Sequence, residues 1–259
     1  MPKRIYIYWF LSVASLLLFS CTNGQDDEVK YLKNVVETTE GGNVKTSTFL
    51  YSGSQLLSIE DDFTIKKFTY TSAFITEIVT TNKSNSVKAT VSYTYDDGNL
   101  KTVKSIGDYV IRYTHNTDGT VSYEKFDISI LNLEIKIHHG VLYFKEGNMI
   151  REERILDDVA PSIISKYNVN YDYDFNKNPL HYILGYEKLL DQEGVISTNN
   201  YIISTVETTI EKDNQIISSA SFYKNTFKYD AGNYPVEKTS LVSIPHKGIS
   251  YNLKTTYYY

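Results

Sequence analysis

Aromatic and aliphatic positions alternate with hydroxyl and charged ones along most of this chain, at a period of two. The clearest instance is Ser92-Tyr93-Thr94-Tyr95-Asp96-Asp97-Gly98-Asn99-Leu100-Lys101-Thr102-Val103. Tyr93 and Tyr95 fall on one face of a strand and the hydroxyl residues between them on the other. Asp96 to Asn99 then supplies a turn, read as a four-residue loop with Gly98 and Asn99 tolerating positive φ. Leu100 and Val103 begin the returning strand.

The same order of ring, turn and aliphatic residue recurs at Phe49 to Leu56, at Phe68 to Ile75 with a poorer turn, and at Phe227 to Tyr234, while Tyr143 to Ile150 keeps the turn but shifts the ring pattern. It recurs in looser form at Tyr109 to Tyr123, with its turn at Asn116 to Gly119, and at Tyr171-Asp172-Tyr173, with a turn at Asn176 to Pro179. A hairpin without rings spans Val206 to Ile217 around Asp213-Asn214. Together these predict roughly fourteen to sixteen strands joined by short turns. Sequential hairpins pair with their neighbours, so the expected topology is an antiparallel up-and-down meander. Twist accumulated over so many strands curls such a sheet into an open or closed barrel. The fold class is therefore all-β, with residues 29–259 as one domain. One stretch breaks the alternation: Leu180 to Leu190, followed by Ser197 to Asn200, reads as a short helix or ordered loop able to plug one end of the sheet.

Composition agrees, with 24 Tyr, 11 Phe and 1 Trp among abundant Ser and Thr, which is strand chemistry. The formal charge is -5. Without Lys3 and Arg4 the remainder has 24 basic against 31 acidic residues, a charge of about -7. Basic residues are scattered rather than gathered in a stripe, which excludes nucleic acid as the expected partner.

At the start of the chain, Lys3-Arg4 precede an apolar run from Ile5 to Phe19, too short for a stable transmembrane helix and read as a cleaved signal peptide, residues 1–20. It ends in Leu18-Phe19-Ser20-Cys21, which resembles the bacterial lipobox. That resemblance implies a diacylglycerol on the Cys21 thiol and a further acyl chain on the amine freed by cleavage, enough for durable attachment to a membrane. The alternative is an incidental cysteine after an ordinary secretory signal. Cys21 is the only cysteine, so neither an internal disulfide nor a cysteine zinc site is expected. Residues 21–28 then form a polar tether. Within it Gln25-Asp26-Asp27-Glu28 resembles the acidic export signal of Bacteroidota-type surface lipoproteins, against the alternative of a merely solvated linker.

The phrase Tyr93 to Leu100, echoed at Phe227 to Asn233, resembles the YD-type repeats of RHS-like proteins. Tyr171-Asp172-Tyr173-Asp174 through Asn178-Pro179-Leu180, with Leu184-Gly185-Tyr186 and Ser197 to Asn200, is similar to Bacteroidota lipoproteins that carry hairpin-repeat domains described as porin-like sheets. The copies are few and no toxin-like segment is attached, so a toxin shell is not implied.

Reactive chemistry is sparse. His138 and His139 are adjacent, point to opposite faces of a strand and cannot share a metal; solvated or turn-end positions suit them better. His115, His181 and His246 have no Cys or His at ligand spacing. Asp172, Asp174, Asn176 and Asn178 start like a calcium loop, but Pro179 stands where its glycine belongs and Gly185 where its bidentate glutamate belongs. Asp61-Asp62 and Asp157-Asp158 sit near turns. No nucleophile elbow, zincin or phosphate-loop motif is present, and no cofactor is expected. The tyrosines serve best as cross-strand pairs within the sheet.

The expected function is a non-enzymatic, lipid-anchored binding or structural module on the cell surface. Its membrane contact runs through acyl chains on Cys21, and its candidate partners are a surface glycan or protein. The alternative is a surface glycan hydrolase, which carboxylates converging in a ring-lined pocket would favour. A third reading, a barrel embedded in the membrane, is suggested by Tyr257-Tyr258-Tyr259. It conflicts with Arg112, Thr114 and the opposed Glu124 and Lys125, which put polar groups on both faces of central strands.

Overall fold

The computed structural model describes residues 29–157, 159–160, 163–192 and 197–259. Cys21 and Gln25 to Glu28 lie outside them. Sixteen strands follow one another: β1 (Asn34–Thr39), β2 (Val44–Ser52), β3 (Gln55–Glu60), β4 (Thr64–Thr71), β5 (Phe74–Asn82), β6 (Lys88–Asp96), β7 (Asn99–Ser105), β8 (Tyr109–His115), β9 (Val121–Ile128), β10 (Glu134–Lys145), β11 (Asn148–Leu156), β12 (Ile163–Lys177), β13 (Asn199–Lys212), β14 (Gln215–Tyr229), β15 (Pro235–Ile244) and β16 (Ile249–Tyr258). Each pairs antiparallel with its sequence neighbours, and β1 pairs with β16, so the meander closes into a barrel. Closure leaves no edge strand to template aggregation.

The repeat seen in the sequence has a definite geometric meaning. Tyr51, Tyr70, Tyr95 and Phe144 each stand directly across a hairpin from an aliphatic residue five positions later: Leu56, Ile75, Leu100 and Met149. In each hairpin the register shifts by one residue just before that pair. The two-residue turn itself sets that pair, and the bulge beyond it brings the returning strand inward again at a spacing of three, as at Leu100 and Val103. The turn of the clearest hairpin is tighter than expected. Asp96 pairs with Asn99, and the two residues between them, Asp97 and Gly98, take φ of 48° and 75°. A two-residue turn with both centres at positive φ matches the right-handed twist of its strands, so Asn99 is already strand rather than loop.

One expected turn is not a turn. β12 runs through Asn176 to Lys177, and from Asn178 the chain enters the barrel instead of reversing. The Leu180 to Leu190 stretch, with a single 3-10 turn at Tyr186–Lys188, lies across the lumen as the expected plug. Leu184 N donates to Ser54 O at 2.9 Å and Asn178 Nδ2 to Ser197 O at 2.9 Å. Ile183 and Leu189 are 1% and 0% exposed, packed with Tyr186 against the inward residues of β3 to β11. Sixteen strands would otherwise enclose a channel. The inward face of β12 to β16 is different: its buried positions include Ser165, Ser204, Ser221, Asn225, Ser240 and Thr255. Apolar side chains of the plug thus pack against the inward residues of β3 to β11, while β12 to β16 line the lumen with hydroxyl and amide groups.

The outer wall is polar. Lys67, Lys104, Arg112, Glu124, Lys166, Glu207, Lys224, Lys228 and Lys254 are all exposed on strands. Ion pairs cross the outer surface from Arg112 to Glu134 at 2.8 Å, and from Lys228 and Lys254 to Glu237 at 2.7 Å each. Each Lys or Arg at the midplane of a lipid-facing strand costs about 2–4 kcal/mol, so these positions weigh against contact with lipid. Exposed apolar side chains do occur, at Phe63, Val87, Ile106, Ile130, Leu131 and Ile216. These lie in or beside the turns at the rim opposite the termini, and others, among them Leu50, Ile203, Phe222, Leu241 and Tyr251, stand on strands between the charged positions.

Candidate ligand site in the lumen

The end of the plug delivers Asp191 to a half-enclosed chamber of about 230 Å³ beside β8 to β11. Tyr109, Ile111 and Tyr113 come from β8, Tyr123 and Lys125 from β9, His138 and Leu142 from β10, and Met149, Glu152 and Arg154 from β11. Strand register sets their order. Gly140 of β10 lies between Tyr123 and Arg154, and His138 lies opposite Lys125. Gly140 is required by a close approach: a Cβ there would stand 2.7 Å from Cε1 and Cζ of Tyr123, and would collide with the Glu153 carbonyl. With no side chain in the way, the Tyr123 ring crosses β10 and reaches β11.

There Tyr123 donates its hydroxyl proton to Glu152 Oε1. Arg154 Nε donates to the Tyr123 hydroxyl at 3.1 Å and to Glu152 Oε1 at 3.0 Å, and Arg154 Nη2 donates to the same oxygen at 2.6 Å. Glu152 is buried. Burial and the Glu152 carboxylate raise the Tyr123 pKa, so the phenol remains a donor. The three side chains form one hydrogen-bonded cluster, and the Arg154 guanidinium also lies 4.9 Å from the Tyr167 ring centroid.

Asp191 is not satisfied. Tyr93 Oη and Gln192 Nε2 donate to its Oδ2 at 3.1 and 3.0 Å, while Oδ1 is buried without a hydrogen-bond partner. Burial raises its pKa above the ordinary carboxyl value. His138 packs edge-on against Tyr123, centroids 5.8 Å apart, and Lys125 Nζ sits 4.5 Å from the Tyr109 ring centroid. Neither His138 nor Lys125 makes a hydrogen bond or ion pair among the described residues. The chamber therefore offers one acceptor, one imidazole and one ammonium to whatever enters.

Burial, followed by the charges of Arg154 and Lys125, lowers the His138 pKa from 6.5 to about 4. Between those values the unfolded chain binds the proton and the folded chain does not, so stability rises with pH through that window. The raised Asp191 acts with the opposite sign, losing stability as pH rises above the unfolded carboxyl value. His138→Gln isolates the first effect. The difference in unfolding free energy between wild type and variant should grow by about 1–2 kcal/mol from pH 4 to pH 7, the full shift being discounted for a half-buried ring. Urea unfolding across that range measures it, and a flat difference would contradict the buried neutral imidazole.

The other sequence candidates take structural places. His138 and His139 do point apart, but within β10 rather than at a turn, and His139 Nδ1 lies 2.9 Å from Asp157 on the outer wall. His115 Nε2 lies 2.9 Å from Leu100 O, His181 Nδ1 lies 3.6 Å from Glu187, and His246 sits in a 3-10 turn between β15 and β16. Asp174 accepts from Asn176 N and Asn200 N at 3.0 and 3.2 Å and from the Tyr229 hydroxyl, tying the plug's entry to β13 and β14. No group of acidic, His or Cys residues able to hold a metal occurs among the described residues. Asp61 Oδ1 accepts from Phe63 N and Thr64 N at 2.8 and 2.7 Å within its turn. The spacing of the sequence does not single out Glu152, Arg154 or Asp191. Gly140 amid β-forming residues, and the Glu152-Arg154 spacing of two, are the only local signals. A second chamber of about 310 Å³ on the polar side of the lumen is lined by Tyr167, Tyr171, Tyr201 and Tyr223.

Solved structures resemble this fold. The fold is similar to that of porin-like proteins. One, from Bacteroides vulgatus ATCC 8482, superposes with a TM-score of 0.56 at 12% identity over 88% of this chain and 98% of its own. Another, from Bacteroides uniformis ATCC 8492, gives 0.52 at 12% identity over 89% and 98%. No family model and no curated protein matches the sequence. At such identity the likeness concerns the fold alone. Those two barrels support the meander expected from the hairpin repeats.

Proposed function

We propose that this protein is a lipoprotein of the outer membrane, displayed on the cell surface, whose barrel stands in water and binds a small ligand in its lumen without transforming it. The observation that carries this reading is the pairing of a charged outer wall with a plugged lumen. A wall bearing Arg112, Lys166 and Lys224 disfavours immersion in lipid, and the plug disfavours an open channel. Attachment then falls to acyl chains on Cys21, with Gln25, Asp26, Asp27 and Glu28 as the export signal. The similarity to porin-like barrels from Bacteroides supports the outer-membrane setting.

The chamber does bring carboxylates and rings together, the arrangement that would favour a glycan hydrolase. Glycoside hydrolysis needs two carboxyl groups, one on either side of the scissile bond. Glu152 is held by Tyr123 and Arg154 through three hydrogen bonds to one oxygen. Asp191 presents a buried carboxyl oxygen without a partner, whereas Glu152 is fixed in place by the Arg154 guanidinium beside it. Binding without turnover is the better fit.

Cys21→Ala tests the anchor. Metabolic labelling with a tagged fatty acid should mark the wild type and not the variant, and the variant should leave the membrane fraction. Undiminished label on Cys21→Ala would overturn the anchor. Replacement of Asp26, Asp27 and Glu28 by alanine should preserve the label but protect the protein from protease added to whole cells.

A further inference from the structure

We propose that the chamber bounded by Tyr109, Tyr123, His138 and Asp191 holds a single neutral sugar ring; this rests on the reading of the lumen as a binding site. Its volume of about 230 Å³ is that of about eight water molecules, room for one pyranose. Tyr109, Tyr113 and Tyr123 supply aromatic walls, and Leu142 and Met149 an apolar floor. Aromatic faces carry negative potential and attract the polarised C–H bonds on one side of a sugar ring.

The polar groups left over suit hydroxyls. Asp191 Oδ1 is an acceptor without a donor. Lys125 is a donor without an acceptor, and the His138 ring provides one of each. A hydroxyl both donates and accepts, so neighbouring hydroxyls on one ring satisfy such a mixed set. A buried unsatisfied oxygen costs about 1–3 kcal/mol until a donor arrives, which favours a ligand that brings one. Charge selects the class of sugar. Lys125 and Arg154 face the carboxyl groups of Glu152 and Asp191 across the same chamber, so no surplus of either sign draws in an anion or a cation. An acidic sugar would meet Asp191, and an apolar ligand would leave it unpaired.

The test uses the mature lipoprotein in a detergent without a sugar headgroup. Methyl glycosides of glucose, galactose, mannose and N-acetylglucosamine are titrated by calorimetry and saturation-transfer NMR, beside glucuronate and glucosamine. At least one neutral glycoside should bind, with its ring protons saturated. Tyr109→Ala should weaken it at least tenfold, about 1.4 kcal/mol, whereas Tyr223→Ala in the second chamber should leave it within twofold. If Tyr109→Ala does not fold, Lys125→Met should weaken binding severalfold at an unchanged melting temperature. Binding of none of the neutral glycosides, preference for a charged sugar, or indifference to Tyr109→Ala and Lys125→Met would overturn the proposal. Hydrolysis of a bound glycoside would overturn the non-enzymatic reading and support the sugar site. Failure of every glycoside to bind, with Cys21 still labelled, would overturn the sugar site alone.

Discussion

Glu152→Ala is expected to lower the free energy of unfolding by about 3–5 kcal/mol, because it removes a buried carboxylate paired with the Arg154 guanidinium. Arg154 would keep its charge and lose two hydrogen bonds, and Tyr123 would lose its acceptor. Glu152→Gln keeps the shape and an acceptor oxygen and should cost less. The adjacent Glu153 is the control. It faces the outer wall, where it accepts from the Tyr143 hydroxyl at 3.0 Å and pairs with Arg151. Glu153→Ala should cost within about 1 kcal/mol, as solvent-exposed pairs do. Urea midpoints at constant m-value give the order directly. Equal losses at the two neighbours would contradict the assignment of Glu152 to the inside.

Tyr93→Ala should be comparably damaging, at about 3–5 kcal/mol for a large buried ring. Tyr93 is 3% exposed, lies opposite Val103 and is the side chain from the sheet that donates to Asp191. Its loss opens a cavity and leaves Gln192 as the remaining side-chain donor to Asp191. Thr94→Ala, one residue on and facing water, should stay within about 0.5 kcal/mol. Thermal and denaturant midpoints of the three proteins check this. A Thr94→Ala loss exceeding that of Tyr93→Ala would invert the faces of the whole sheet.

These two pairs of neighbours show where the sequence is legible. The period of two is enforced by strand geometry, so Tyr93 against Thr94, or Arg112 against Tyr113, can be assigned to opposite faces from the alternation alone. The recurring ring and aliphatic residue announces the hairpins, and enough hairpins in a row imply a sheet that curls. Bulges are harder to read, since the extra residue Lys101 leaves no mark beyond an odd spacing between Leu100 and Val103. The turn expected at Asn176 to Pro179 misleads because asparagine and proline suit a chain diving into a lumen as well as one reversing. The chamber is not legible at all. Glu152 and Arg154 become a site only when Gly140 admits the Tyr123 ring between strands. Asp191 joins them from a segment with no periodicity, so its position depends on three-dimensional closure and not on local pattern.

The proposed function requires that this barrel be a water-soluble body held at a membrane only by its anchor. Residues 29–259, produced without the leader and tether and purified without detergent, test it through circular dichroism and sedimentation. The account predicts a β-sheet spectrum, a monomer in plain buffer and a single cooperative unfolding transition. A chain that aggregates in buffer and gains its β-sheet spectrum only in micelles or lipid would contradict it.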